Sequence, residues 1–290
     1  MTDTKNILKI VNASGFAFQL HIENTIRNTN NIHFWEVISS EHLWRSEETG
    51  RDGFIDIILG SPSHADYRAV IECKRTQDAN WVFLITNQQE QLTQSSILLY
   101  TKAFQYQNLA EYYKFSVVPS SVESNFCAIR GSDEKDKPML ERISTHLIES
   151  VECLANQELN LKNDLRGSVA VYFPIIVTNA NLFTCSFNPS AVNSNTGMLE
   201  LDQVELQPVD FIRFRKTLSS QFELYSEVNS YSNLPGYSDS QSLKQLNQAN
   251  ERTVFVVRST AIINFLRDFS IQGRYPELIN RINNYGNPTQ

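Results

Sequence analysis

Several features that quickly assign a function are missing from this 290-residue sequence. It has no closely spaced cysteines. Those at 73, 127, 153 and 185 are never nearer than 26 residues, which excludes CxxC zinc ribbons, zinc fingers and thioredoxin-type redox motifs. The histidines at 21, 33, 42, 64 and 146 form neither HxxxH nor HExxH, so a histidine-based metal centre is not expected. No run of 18 apolar residues is present, which argues against a transmembrane helix and a membrane partner. The polar start MTDTKNILKI lacks a signal-peptide apolar core, so a cytoplasmic location and free, mostly buried thiols are expected. Nor is there a basic excess: 25 Lys and Arg face 32 Asp and Glu, for a net charge of −7. Residues 1–164 hold 22 acids against 15 basic residues, and residues 165–290 hold 10 of each. An acidic chain is poorly suited to passive coating of nucleic acid. It remains compatible with an enzyme that holds metal ions through carboxylates. No internal repeat or low-complexity block breaks the sequence.

What is present is an ordinary globular composition, 41% apolar and 20% charged, long enough to bury a core without staples. The pattern predicts a helix from Ser14, taken as its N-cap, to about Asn28. A strand over Phe34–Ile38 follows, then a charged loop over 39–53. Two strands, Phe54–Leu59 and Tyr67–Lys74, are joined by a Gly-Ser-Pro turn and predict an antiparallel hairpin. Trp81–Thr86 and Phe126–Arg130 read as short strands. Residues 87–115 lack Gly and Pro and read as one or two helices. Gly131–Lys137 reads as a loop, and Pro138–Gln157 as a helix started by proline. The near-continuous apolar run Ser168–Thr178 suits a strand buried on both faces. Leu182–Phe187 and Val209–Phe214 are further strand candidates. Thr253–Val257 with Thr260–Phe269 reads as a strand followed by a helix. Residues 218–250 are polar and read as a surface insertion. Strands and helices mix without a break in composition, so a single α/β domain over residues 1–290 is expected.

The chemistry concentrates in RDGFIDIILGSPSHADYRAVIECKR, residues 51–75. Alternation along a strand gives Asp56 a common face with Phe54 and Ile58, with Ile55 and Ile57 flanking it in sequence. It also gives Glu72 and Lys74 a common face, with Ile71 and Cys73 pointing the other way. Charges on apolar strands lose hydration and need a partner or a metal. The hairpin can bring Asp56 beside Glu72 and Lys74. Two carboxylates with a nearby main-chain carbonyl, here that of Cys73, are ligands for a hard cation such as Mg²⁺ or Mn²⁺. Such a cation activates water and neutralises a scissile phosphate. Lys74 would orient the water or stabilise the developing charge.

An Asp, a spacer of fifteen residues, then Glu72-Cys73-Lys74 on paired strands resembles the PD-(D/E)XK nuclease superfamily. Ile55 stands where a proline often precedes the Asp. The resemblance implies a restriction-endonuclease-like core: a mixed β-sheet flanked by helices, here spanning about residues 12–185, with C-terminal elaborations. Such cores open with a helix that often carries an acid near the metals, and Glu23 stands at the matching place, with Gln19 one turn earlier. The opening GFAFQ and the run RDGFID are most similar to effector nucleases of bacterial antiphage systems. The resemblance therefore implies a Mg²⁺- or Mn²⁺-dependent DNA endonuclease. Asp56, Glu72 and Lys74 would be catalytic, and Asp56, Glu72, Glu23 and the Cys73 carbonyl would hold metal. Arg75 and Gln19 would contact nucleic acid. It also implies homo-oligomers and control by an ATPase or sensor protein. Two alternatives stay open: a catalytically silent subunit that binds nucleic acid or a partner, and an RNA-cleaving enzyme. Arg213, Arg215 and Lys216 in FIRFRK offer a second basic cluster, for which a polar strand face is the plainer reading. Glu36, Arg51 and Asp52 are weaker candidates for the site.

Overall fold

In a computed structural model of the chain, describing residues 3–47, 49–61, 67–76, 79–86, 92–104, 107–129, 139–161, 168–218, 243 and 247–272, two helices lead into a large mixed sheet. α1 (Asp3–Ser14) and α2 (Phe16–Asn28) are separated by Gly15, whose φ of 81° is left-handed. Glycine adopts that conformation at no steric cost. Ser14 therefore closes α1 rather than starting α2, and its Oγ donates to the Val11 carbonyl at 2.7 Å. A single turn, α3 (Asn30–His33), delivers the chain to the sheet.

β1 (Glu36–Arg45), β2 (Asp52–Ser61) and β3 (Tyr67–Lys74) form an antiparallel meander. The expected loop over 39–53 is thus mostly strand. Of its charged residues, Glu41 and Arg45 stand at exposed positions of an edge strand, which composition alone does not distinguish from a loop. β4 (Asn80–Thr86) leaves for a second sheet. The helices expected over 87–115 are not found: β5 (Thr93–Phe104) and β6 (Gln107–Ser121) are a long hairpin, while residues 87–91 and 105–106 lie outside the described residues. Ile97 and Leu99 enter one core and Leu98 and Tyr100 the other. A strand buried on both faces loses the alternation that separates it from a helix.

β7 (Glu123–Ser124) and β8 (Cys127–Ile129) precede α4 (Met139–Leu161). β9 (Ser168–Thr178) is the central strand, and Ala170 to Val177, proline aside, are at most 1% exposed. It runs parallel to β3 on one side, and on the other it meets β5 and β13. β10 (Asn181–Phe187) follows. The strand expected over 209–214 is two strands divided at Asp210. β11 (Val204–Val209) belongs to the second sheet and β12 (Phe211–Thr217) to the first. β13 (Glu251–Arg258), α5 (Ile262–Asp268) and β14 (Ser270–Gln272) complete the described chain. Most of the expected polar insertion, residues 219–242 and 244–246, lies outside the described residues, as does the expected loop 131–137.

The layers follow from the two faces of the sheet. On one face Ile22 and Ile26 of α2 and Ile262, Phe265 and Leu266 of α5 pack with Ile57, Ile71 and Phe173. On the other, Leu147, Val151 and Leu154 of α4 pack with Ile58, Val70 and Tyr172. Trp81 and Phe83 of the second sheet join that same core. Each fully buried large apolar side chain contributes roughly 1.5–3 kcal/mol, so β9 is the mechanical centre of the fold. Among the described residues no helix is long and apolar enough to cross a membrane.

One buried acid gives a pH test of this core. Tyr100 and Glu111 face each other across β5 and β6, and the phenol donates to Glu111 Oε1. Burial pushes the Glu111 carboxyl up to about 7. The native state then binds a proton more tightly than the unfolded chain does. Stability therefore falls as pH rises from the ordinary Glu range through about 7. Glu111→Gln should remove that slope and raise stability at pH 8 by about 1 kcal/mol, measured by urea unfolding at pH 5 and pH 8.

Candidate active site

β2 and β3 pair regularly from Ser61↔Tyr67 down to Ile57↔Ile71. Regular pairing stops there, and the next two facing residues are Asp56 and Glu72. In place of a further ladder bond, the main-chain N–H of Cys73 donates to Asp56 Oδ2 at 2.6 Å. A strand fork opens at this point, closed by a carboxylate rather than by main chain. Cys73 packs with the α2-side core alongside Ile71, so Glu72 and Lys74 share the opposite face, as alternation predicts. Lys74 Nζ lies 2.5 Å from Glu72 Oε1. Glu72 is 9% exposed and Lys74 is half-buried.

The parallel neighbour fixes this end of β3. Glu72, Cys73 and Lys74 pair with Ile176, Val177 and Thr178 of β9. Beyond them the Asn179 side chain accepts from the Thr76 N–H at 2.7 Å and donates to the Thr76 carbonyl at 2.8 Å. Both strands leave the sheet here toward β4 and β10. The acidic residues thus stand at the carboxyl ends of two parallel strands, where open α/β sheets commonly form sites.

The electrostatics are strained in one direction. Asp56 is pushed up to about 7, first by burial and then by the Glu72 carboxylate, with Glu41 adding to the same effect. The Cys73 N–H and the Lys74 charge only partly offset this. Burial, Asp56 and Glu72 raise the Cys73 thiol, which makes it a poor nucleophile. Each carboxylate has one oxygen engaged, and among the described residues Asp56 Oδ1 and Glu72 Oε2 accept no hydrogen bond. Two such oxygens with the adjoining carbonyl of Cys73 match the donors a hard divalent cation takes, the rest being water or substrate oxygen. Among the described residues no group of three or more His, Cys, Asp or Glu side chains has metal-holding geometry. A cation held by two carboxylates and solvent does not require one.

The other candidates separate clearly. Gln19 is 7% exposed and turned inward, so it does not present its amide at an outer nucleic-acid surface. Its amide donates to Glu41 Oε1 and, at 3.4 Å, to the main-chain carbonyl of Asp56. Glu23 forms an ion pair with Arg27 on its own helix at 2.7 Å, and its charge still acts on Cys73. Arg75 is exposed directly after β3, free to meet a phosphate. Glu36 pairs with Gly60 at the far end of β2, away from Asp56. Arg51 is bound to Glu149 of α4 at 2.9 Å, and Asp52 is exposed at the start of β2. The FIRFRK cluster is structural. Arg213 is fully buried, Arg215 pairs with Glu123 and Lys216 with Glu141.

Glu41 was missing from the sequence-based set. The pairs Ser40↔Ile57 and His42↔Ile55 place it across from Asp56 on β1. The available signal was the hairpin register, which reading 39–53 as a loop concealed. Comparison with protein-family models, curated proteins and solved structures finds no match, so the functional argument rests on the site.

Proposed function

We propose that the chain is a metal-dependent endonuclease that hydrolyses phosphodiester bonds in DNA, with a restriction-endonuclease-like core and Asp56, Glu72 and Lys74 at its centre. The observation that carries this reading is the fork itself. A buried acid accepts the Cys73 N–H, and beside it a second acid is paired with a lysine two residues on. A merely structural fold would satisfy the Cys73 N–H with main chain. It would also avoid burying one carboxylate against another, since like charges in a dry setting raise the energy of the folded state. The order of elements supports the reading too: a helix, three antiparallel strands and then, after the intervening strands β4 to β8, a helix on the opposite face and a strand parallel to the third.

Bound at Asp56, Glu72 and the Cys73 carbonyl, a Mg²⁺ or Mn²⁺ ion would acidify water and neutralise charge on the scissile phosphate. The Cys73 N–H fixes the Asp56 carboxylate and leaves Oδ1 to bind. Lys74 holds Glu72 in the resting state. Phosphate oxygens arriving at the fork offer the ammonium a second anion, and its charge there favours the transition state over the ground state. Arg75, exposed next to it, supplies a phosphate contact that positions the strand without reading sequence. An effector role in antiphage defence, with a regulatory ATPase or sensor, belongs to the same proposal and follows from the resemblance.

Supercoiled plasmid and a structured RNA should be incubated with the protein in Mg²⁺, in Mn²⁺ and in EDTA. Nicking or linearisation of the plasmid only with metal is the expected result. Cleavage of RNA alone would change the substrate, and equal cleavage in EDTA would contradict the metal-dependent reading.

A further inference from the structure

We propose that Gln19 is a positioning residue of this site, acting through Glu41 and through the main chain of Asp56. This rests on the reading of the fork as a hydrolytic site. Gln19 lies on the inner face of α2 with Ile22 and Ile26, and like those apolar neighbours it is buried. A buried amide among isoleucines costs free energy unless both its donors are used. Here the Nε2 group reaches two acceptors, Glu41 Oε1 and the Asp56 carbonyl. These belong to different strands, β1 and β2, at the one level where Glu41 faces Asp56.

The backbone at that level is unusual. Glu41 has a φ of 52°, left-handed for a residue with a side chain, a conformation that persists only where surroundings impose it. Its immediate neighbours Ser40 and His42 keep their ladder partners, and the register shifts only further along β1, between Val37 and Ser39. The left-handed residue thus sits within a paired stretch, and the partner held for its carboxylate is Gln19. The geometry makes Gln19 a bracket that sets how the Glu41 carboxylate and the Asp56 peptide lie beside the fork. A side chain that only filled space between α2 and the sheet would need neither donor. The sequence resemblance had given the third acidic position to Glu23, which instead is paired with Arg27 on the same helix.

The test compares wild type with Gln19→Met, which keeps the volume and removes the donors, and Gln19→Glu, which opposes two carboxylates. It adds the reciprocal double variant Gln19→Glu with Glu41→Gln, which restores a donor and an acceptor across the same gap. Three quantities are read: melting temperature, Mn²⁺ affinity by calorimetry without nucleic acid, and steady-state cleavage with its KM and kcat. Gln19→Met should melt within a few degrees of wild type. It should lose about tenfold in Mn²⁺ affinity and about ten- to a hundredfold in kcat, with KM nearly unchanged, as expected for groups that orient metal ligands. Gln19→Glu should lose more, and the double variant should recover most of that loss. Wild-type values in Gln19→Met, or no recovery in the double variant, would overturn the positioning role while the hydrolytic reading stands. A wild type that neither binds Mn²⁺ nor cleaves would overturn both.

Discussion

Asp56→Asn is expected to stabilise the protein at pH 8 while abolishing the proposed cleavage activity. The two effects share one cause. Asp56 is held at about 7 by burial and by the charges of Glu72 and Glu41, far above an ordinary aspartate. In the unfolded chain it ionises near its usual value, so between that value and about pH 7 the native state holds a proton that the unfolded state has lost. Stability therefore declines as pH rises through this window, and the full penalty is present above it. Asparagine carries no charge and keeps an oxygen to accept from the Cys73 N–H. It should raise unfolding free energy at pH 8 by roughly 2–4 kcal/mol, with little gain at pH 4. In a chain of this size that is several degrees of melting temperature. Cleavage should fall about a thousandfold or more, equivalent to about 4 kcal/mol of transition-state stabilisation. A structural aspartate gives the opposite pattern, in which its replacement destabilises. Thermal melts at pH 4 and 8, paired with single-turnover rates, read both effects.

Arg213→Met is expected to be among the most destabilising single changes in the chain. The guanidinium is fully buried on β12, and burial pushes it down to about 10. It stays charged at neutral pH because its donors are used. Nε donates to Ser96 Oγ at 3.0 Å and Nη1 to Ser121 Oγ at 2.7 Å. Nη2 donates to the carbonyls of Val117 and Pro119 at 2.6 and 2.9 Å. Those acceptors lie at the end of the β5–β6 hairpin, so one side chain joins β12 to both strands. The Phe255 ring lies 5.4 Å from the guanidinium carbon, a further favourable contact for a desolvated cation. Methionine keeps much of the volume but leaves two main-chain carbonyls and two hydroxyls without this donor. The expected cost is about 3–5 kcal/mol by denaturant unfolding. Arg213→Lys should recover only part of it, because one ammonium cannot span four acceptors in a planar fork. A loss under 1 kcal/mol would show that the hairpin end is held by other contacts.

Arg213 also shows where the sequence misleads. Three cations beside two phenylalanines look the same in one dimension whether they face a polyanion or a carbonyl-lined interior. The distinguishing partners are 96, 117, 119 and 121, distant in sequence. The β5–β6 hairpin was hidden for a related reason. Burial of β5 on both faces produces an apolar run without alternation at Ile97 to Tyr100, and the absence of Gly and Pro favours helix and strand equally. By contrast, β3 was legible to the residue at both ends, because Gly60-Ser61-Pro62 is a turn signal in the sequence before it and Glu72, Lys74 and Arg75 mark its end. The hairpin of β2 and β3, the helix α4 and the doubly buried β9 were legible from local pattern as well. For the site, the pairing of Glu72 with Lys74 and the approach of Asp56 follow from alternation plus one turn. Glu41 does not, since its place depends on a register set by the Ser46–Arg51 turn and on a left-handed residue within a strand. Glu23 was drawn in by the resemblance, which places an acid on the opening helix but not the partner, Arg27, that its carboxylate meets.

The most direct test of the hydrolytic site is calorimetric titration of Mn²⁺ into wild type, Asp56→Asn and Glu72→Gln, without nucleic acid and at pH 8. One saturable site in the wild type, lost or weakened at least about tenfold in both variants, is the result expected. No binding by the folded wild type, or binding that both variants retain unchanged, would contradict it.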